Sequence, residues 1–292
     1  MSEKVIKSYK AFDKNMQCRG FQYEIGKEYE MDGEIKCCDR GFHACKSPME
    51  VWDHYDMLSS RFAEVEQSGK IDEEGNSTKV CSSRIKIKAE LKLADIIKVG
   101  VEWLKDITSP TKVKTDIAKN DNGGDSAKIG SSGYYAKIGS SGDYAQIGSS
   151  GDYAKIGSSG DYAKIGSSGY SAKIGSSGYY AKIGSSGDYA QIGSSGDYAQ
   201  IGSSGDYAQI GSSGDYAKIY STGEDSVIMC AGKESKAKAK VGSWITLSEW
   251  EWNDKKNRYV PVCVKTEYVD GNNIKADTWY KLKNGEFVEV TE

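Results

Sequence analysis

The sequence is short of most features that announce an activity. Only 38% of its 292 residues are apolar, below an ordinary globular chain, which excludes a single large core. No stretch reaches the ~18 apolar residues of a membrane helix, and Met1–Arg19 is polar and charged, without the apolar run of a secretory signal. The expectation is a soluble cytoplasmic protein with no membrane partner. Charge of one sign is also missing: 39 basic residues stand against 42 acidic ones, and no segment is a polycation that would seek nucleic acid or membrane by charge alone. Seven cysteines (Cys18, Cys37, Cys38, Cys45, Cys81, Cys230, Cys263) form no tidy framework and are odd in number, which fits reduced thiols rather than disulfides.

What is present in abundance is one nonapeptide, Gly-Ser-Ser-Gly-Asp-Tyr-Ala-Lys-Ile, written with small changes from Gly124 to Ile219. Position seven is always Ala and position nine always Ile. Alternation then points Ala and Ile to one side, with Tyr at six and Lys or Gln at eight on the other. The following Gly-Ser-Ser-Gly supplies small residues for reversing the chain. Each copy therefore reads as a strand plus a turn. One strand cannot bury its apolar face alone, but two copies making a coil can stack into a continuous Ala/Ile seam. The prediction is a mainly β protein built on a parallel β-solenoid of about eighteen residues per coil. Looser copies at Ser226-Val227-Ile228 and Ser235-Lys236-Ala237 extend it, and ~4.8 Å per coil gives roughly 6.5 coils and ~31 Å of rod. A flexible Gly/Ser linker, the competing interpretation, has no reason to keep Ala and Ile in phase.

The flanks are expected to cap the rod, whose open ends would be templating edges. Residues 1–112 read as a small α+β domain, 113–240 as the solenoid and 241–292 as an antiparallel β meander. In the first, Ser47-Pro48-Met49-Glu50 has the form of a capping box opening a short helix through Tyr55. "RIKIKAELKL" from Arg84 alternates as a half-buried strand, placing Ile85, Ile87, Ala89 and Leu91 on one face. Leu93, Ile96, Ile97, Val101 and Leu104 then recur at helical spacing and end before Ser109-Pro110. In the last, strands are expected at Tyr259–Val269, Ile274–Leu282 and Phe287–Val290, with Asn284-Gly285 as a hairpin turn.

Chemistry is sparse. Aligned with the calcium-binding β-roll, the repeat puts Tyr where a ligand should be, so no metal is expected in the rod. Residues 122–219 hold eight Asp and seven Lys, a net of minus one, far from the charge density of a DNA mimic. The repeats contain no threonine array of the kind that binds ice. Tyr and Lys columns could stack bases or sugars, but they also screen a thin sheet, so nucleic acid is not favoured. The candidate binding surface is made of Asp143, Asp152, Asp161, Asp188, Asp197, Tyr144, Tyr153, Tyr162, Lys155 and Lys164. Cys37, His43 and Cys45 are the weak alternative as metal ligands, without a C-x-x-C pair or zinc loop spacing; His54 reads as packing or facing solvent.

"CRGFQYEIGKEYE", "DRGFHACKSPMEV", "SRFAEVEQSG", "GSWITLSEW" and "VCVKTEYVDG" resemble a family of phage and prophage proteins, the domain of unknown function numbered 7666, in which a similar first domain is followed by SGDYAKI-type repeats. The resemblance implies a bacterial mobile-element setting and supplies no established activity or catalytic residues. A weaker similarity links Tyr9, "GFHAC" from Gly41 and "FAEVE" to ADP-ribosyltransferase-like domains, with Cys45 at the threonine position and Glu66 as the weak alternative catalytic residue. The first expectation is a non-enzymatic phage or prophage protein whose rod engages a host bacterial protein, inhibiting a defence or nucleic-acid-handling system. No cofactor is expected, and a homo-oligomer is left open. The rivals are an ADP-ribosyltransferase-like enzyme with the rod as spacer, and a structural or adhesive phage element.

Overall fold

The computed structural model describes residues 4–73, 78–108 and 124–291. The chain divides into two compact units, Met1–Trp103 and Leu104–Glu292.

The first unit is a β domain with one helix. Its strands are β1 (Ile6–Phe12), β2 (Gln17–Cys18), β3 (Phe21–Gln22), β4 (Glu28–Glu30), β5 (Phe42–Cys45), β6 (Arg61–Glu73) and β7 (Lys79–Leu91), followed by α1 (Leu93–Ile107), whose last turn, from Leu104, belongs to the second unit. The main sheet runs β4-β7-β5-β1-β6, and β6 also pairs with β7, so β5, β1, β6 and β7 close a circuit. Phe12, Met16, Tyr23, Phe42, Val65, Ile85 and Ile87 pack among its core residues.

Two local expectations are corrected. The short helix expected through Tyr55 is a 3-10 turn, Met49–Asp53, and Glu50 accepts hydrogen bonds from Thr78. The alternation along β7 buries Ile85 and Ile87 but leaves Ala89 exposed. A bulge opposite Glu64 and Val65 passes over Lys88, and one extra residue reverses which side chains face inward.

The second unit is the expected parallel β-solenoid. Strands β8 (Lys128–Ser131), β9 (Lys137–Ser140), β10 (Gln146–Ser149), β11 (Lys155–Ser158), β12 (Lys164–Ser167) and β13 (Lys173–Ser176) recur every nine residues. They continue through β14 (Lys182–Ser185), β15 (Gln191–Ser194), β16 (Gln200–Ser203), β17 (Gln209–Ser212), β18 (Lys218–Ser221), β19 (Val227–Cys230) and β20 (Lys236–Lys238). Even-numbered strands stack into one sheet and odd-numbered ones into the other. The register sets Ile147 beside Ile165 and Ile156 beside Ile174. Two copies therefore make one coil.

The structure moves the turn. The strand is Lys-Ile-Gly-Ser, and the corner falls at Gly-Asp-Tyr rather than at Gly-Ser-Ser-Gly. Inward alternation runs on through Ala at seven, Ile at nine, Ser at two and Gly at four, as at Ala154, Ile156, Ser158 and Gly160, all buried. Nine is odd, so the alternation must reset once per copy, and it does so where Asp and Tyr both face out. Tyr at six takes the left-handed conformation, with φ between 55° and 57° at Tyr153, Tyr162 and Tyr144, a geometry that costs a non-glycine residue ~1 kcal/mol or more. Glycine at four is obligatory: a Cβ on Gly178 would lie 1.9 Å from the Gly160 carbonyl oxygen one coil away.

The C-terminal residues extend both sheets. β21 (Trp244–Asn253) adds in parallel to β19 and pairs antiparallel with β22 (Arg258–Tyr268). β23 (Tyr280–Lys283) pairs antiparallel with β20 and with β24 (Glu286–Glu289). The change from parallel to antiparallel pairing ends the template on each sheet. The strand expected from Ile274 begins only at Tyr280, because the Asp270 carboxylate gathers the amides of Asn272, Asn273 and Ile274 into a turn.

Candidate functional site

The corners are built by a side-chain ladder. Asp161 donates its amide to Asp143 Oδ1 (2.8 Å), and Tyr179 donates its own to Asp161 Oδ1 (2.7 Å). Asp152, Asp188 and Asp197 accept in the same way from Tyr170, Asp206 and Asp215. Each aspartate thus has one oxygen committed to the fold. The main chain at the corners pairs as well, with the Tyr162 amide donating to the Tyr179 carbonyl at 2.8 Å.

The tyrosines at six form two columns. In one, Tyr144, Tyr162, Tyr180, Tyr198 and Tyr216 stack ring on ring, with centroids 4.8–5.2 Å apart. In the other, Tyr153 and Tyr189 flank Ser171, and Tyr170 at position five fills the gap, 6.0 Å from Tyr153 and 5.2 Å from Tyr189. Tyr and Lys of one copy therefore belong to different features, a corner column and a sheet face.

The two sheets differ on their outer faces. On the even sheet Gln146 and Lys164 are 4% and 3% exposed, so Lys164 is not part of an accessible surface. On the odd sheet Lys137, Lys155, Lys173, Gln191 and Gln209 are all exposed. Beside them runs a column of glycines at position one, and together they line an open groove of about 980 Å³ that ends at Val227 and Met229. A Cβ on Gly139, Gly157, Gly175, Gly193 or Gly211 would have open space around it. The contrast is Gly130 at the same position on the even sheet, where a Cβ would lie 2.8 Å from the Lys105 amide nitrogen in the last turn of α1. Fold geometry explains Gly130 and leaves the odd-sheet glycines unexplained, although glycine in a strand costs ~0.5–1 kcal/mol relative to alanine. Among the described residues no carboxylate forms an ion pair with Lys137, Lys155 or Lys173. Like charges stacked on adjacent strands repel. The aspartates and tyrosines were legible from the repeat; the groove was not, since position one carries no chemical group.

In the first unit the alternative metal ligands do not converge. Cys37 Sγ donates to the Asp72 carbonyl, His43 Nε2 accepts the Cys38 amide, and burial pushes the Cys45 thiol up to about 12. No group of three His, Cys, Asp or Glu able to hold a metal occurs among the described residues. Tyr9, His43 and Cys45 line a cavity, but Glu66 is not in its wall and instead pairs with Lys88 at 3.0 Å. No helix among the described residues is long and apolar enough to cross a membrane.

No curated protein and no solved structure matches the chain. Residues 6–99, which make up most of the first unit and none of the repeat tract, match the family described as a domain of unknown function, DUF7666.

Proposed function

We propose that this chain is a non-enzymatic binding protein whose rod is the working surface, engaging an extended acidic surface of a host bacterial protein. The observation that carries this reading is the open odd face, with five coils in register, a glycine floor and three lysines lacking a carboxylate partner. A ladder of unpaired like charge is unfavourable alone and favourable beneath an acidic partner, where complementarity sets both specificity and the rate of encounter. The solenoid suits the role because its backbone pairs up and down at strands and corners, so the surface is held in place before any partner arrives. A phage or prophage setting follows from the resemblance of the first unit's strings. It makes a defence or nucleic-acid-handling protein the target class, inhibited by being occupied.

The test compares full-length wild type with a Gly157→Phe/Gly175→Phe variant, which blocks the groove without touching the seam, and with Lys137→Glu/Lys155→Glu/Lys173→Glu. Both are used to capture purified acidic host proteins first identified with wild type. Binding lost by at least tenfold in both variants, with unchanged thermal melting, supports the reading. Binding that survives both variants and is abolished by Glu66→Ala overturns it and makes the rod a spacer.

A further inference from the structure

Strand β1 buries every residue from Ser8 to Phe12, and one of them is a lysine. Lys10 is 5% exposed. Its ammonium donates to the His43 carbonyl at 2.8 Å and lies 5.5 Å from the Tyr23 ring and 5.7 Å from the Phe12 ring. Among the described residues it has no carboxylate partner. An ammonium has three protons to donate; the His43 carbonyl takes one and the Cys18 side chain is a second hydrogen-bond partner, and neither is a carboxylate. A buried charge without a counter-ion is costly, and burial pulls the Lys10 pKa below the ordinary lysine value. A methionine would fill the same space without this cost.

Lys10 lines a cavity of about 630 Å³. Arg19, Arg40 and Lys79 share the wall with it, against Asp39 and Asp53. Arg40 is directed elsewhere, its Nη2 donating to the Asp32 carbonyl. Arg19 is exposed, in the left-handed conformation at φ 50°, and has no ion pair among the described residues. Phe21, Tyr23, Phe42 and Tyr55 add aromatic surface to the wall, beside Cys18, Met31, Cys45 and Val51. Phe21 is 45% exposed and meets Tyr23 and Phe42 edge-on, with centroids 4.8 and 6.2 Å away. A large exposed phenylalanine beside a buried unpaired ammonium joins an apolar surface to a missing negative charge.

We propose that this cavity is a binding site for a small aromatic anion, whose charged group pairs with Lys10 and Arg19 and whose ring lies against Phe21, Tyr23 and Phe42. The site is separate from the rod and does not depend on the function proposed for it. The charge belongs to the ligand because the described residues supply no carboxylate for Lys10, and the flat apolar body follows from aromatic edges and faces that favour ring contacts. Arg19 adds a planar donor fork suited to either a carboxylate or a phosphate.

The full chain is titrated by calorimetry with benzoate, with phenyl phosphate, and with benzamide, the neutral isostere of benzoate. At least one anion should bind saturably and at least tenfold more tightly than benzamide, and the better of the two identifies the head group. Lys10→Met should remove that preference, and Arg19→Gln should weaken the anion at least threefold while leaving benzamide unchanged. If Lys10→Met does not fold, as judged by its near-ultraviolet dichroism, the surface variant Arg19→Gln decides alone. The proposal is overturned if benzamide binds as well as benzoate, if neither anion saturates at millimolar concentration, or if Arg19→Gln leaves anion affinity unchanged.

Discussion

The two sheets of the rod are written with the same nine letters and end up with different outer faces. Inward, they are alike: Ile165 on one and Ile174 on the other are 0% and 3% exposed. Outward, Lys164 is buried while Lys155, nine residues earlier in the same repeat, is exposed. Gly130 is crowded by Leu104, Lys105 and Thr108 of its own unit, while Gly157 faces open space. A repeat therefore specifies what its copies do to one another, because stacking presents each copy with the same neighbours. What lies outside the stack comes from elsewhere in the chain and makes equal copies unequal.

The comparison is tested most severely at the seam. Ile165→Asp and Ile174→Asp should be equally destructive, each costing at least ~3 kcal/mol by leaving an unpaired charge in a dry interior; thermal melting followed by far-ultraviolet dichroism would check this. Melting points that differ greatly between them would mean that the inner faces are not equivalent. Tyr162→Ser, outside the seam, should cost ~1 kcal/mol or less, because stacking on Tyr144 and Tyr180 is lost.

Glycine separates the inside from the outside next. Gly178→Ala drives a Cβ to within 1.9 Å of a carbonyl oxygen and should open the middle coils to limited proteolysis, at a cost of ~2 kcal/mol or more. Gly175→Ala, three residues earlier in open space, should leave the digestion pattern unchanged and stabilise by up to ~1 kcal/mol. Equal sensitivity would erase the distinction between corner and face.

Charge reversal should then give opposite signs on the two sheets. Lys155→Glu sits between Lys137 and Lys173 in register and should stabilise by ~0.2–1 kcal/mol at low salt, an effect that fades as salt is added. Lys164→Glu places a reversed charge at a site 3% exposed and should destabilise by more than ~2 kcal/mol. Urea titrations at two ionic strengths would separate them, and a common sign would contradict the difference between the faces.

The smallest effect concerns the interior serines. Ser176 and Ser194 are buried on the odd sheet and Ser167 and Ser185 on the even one, and none of their hydroxyls has a hydrogen-bond partner among the described residues. Ser176→Ala and Ser167→Ala should each be neutral or stabilising by up to ~1 kcal/mol, since an unsatisfied buried hydroxyl contributes nothing favourable. A loss above ~1 kcal/mol in either would reveal a partner for the serine column. Nothing in the structure explains serine in preference to alanine there.

Much of the architecture could be read from the chain. Ala and Ile held in phase over nine residues require a stack, and two copies per coil follow from a strand too thin to bury its own face. The helix from Leu93 was legible from its spacing, and Asn284-Gly285 marked the final hairpin, because local steric preferences survive in any context. Other features depend on partners distant in sequence. The turn lies at Gly-Asp-Tyr because a carbonyl one coil away excludes a Cβ at position four and an aspartate one coil away accepts the amide at position five. Glu50 is met by Thr78, twenty-eight residues on, and the bulge at Lys88 reversed the facing of Ala89. Neither candidate site was visible either. The groove is made of glycines, whose contribution is empty space, and the cavity is made around Lys10, an ordinary lysine by sequence until β5 and the Tyr23 ring close over it. Sequence alone determined the repeating interior, because identical neighbours impose identical contacts. Tertiary structure decided which surfaces stay open and which charge stays unpaired, because both depend on what the rest of the chain brings, or does not bring, within a few ångströms.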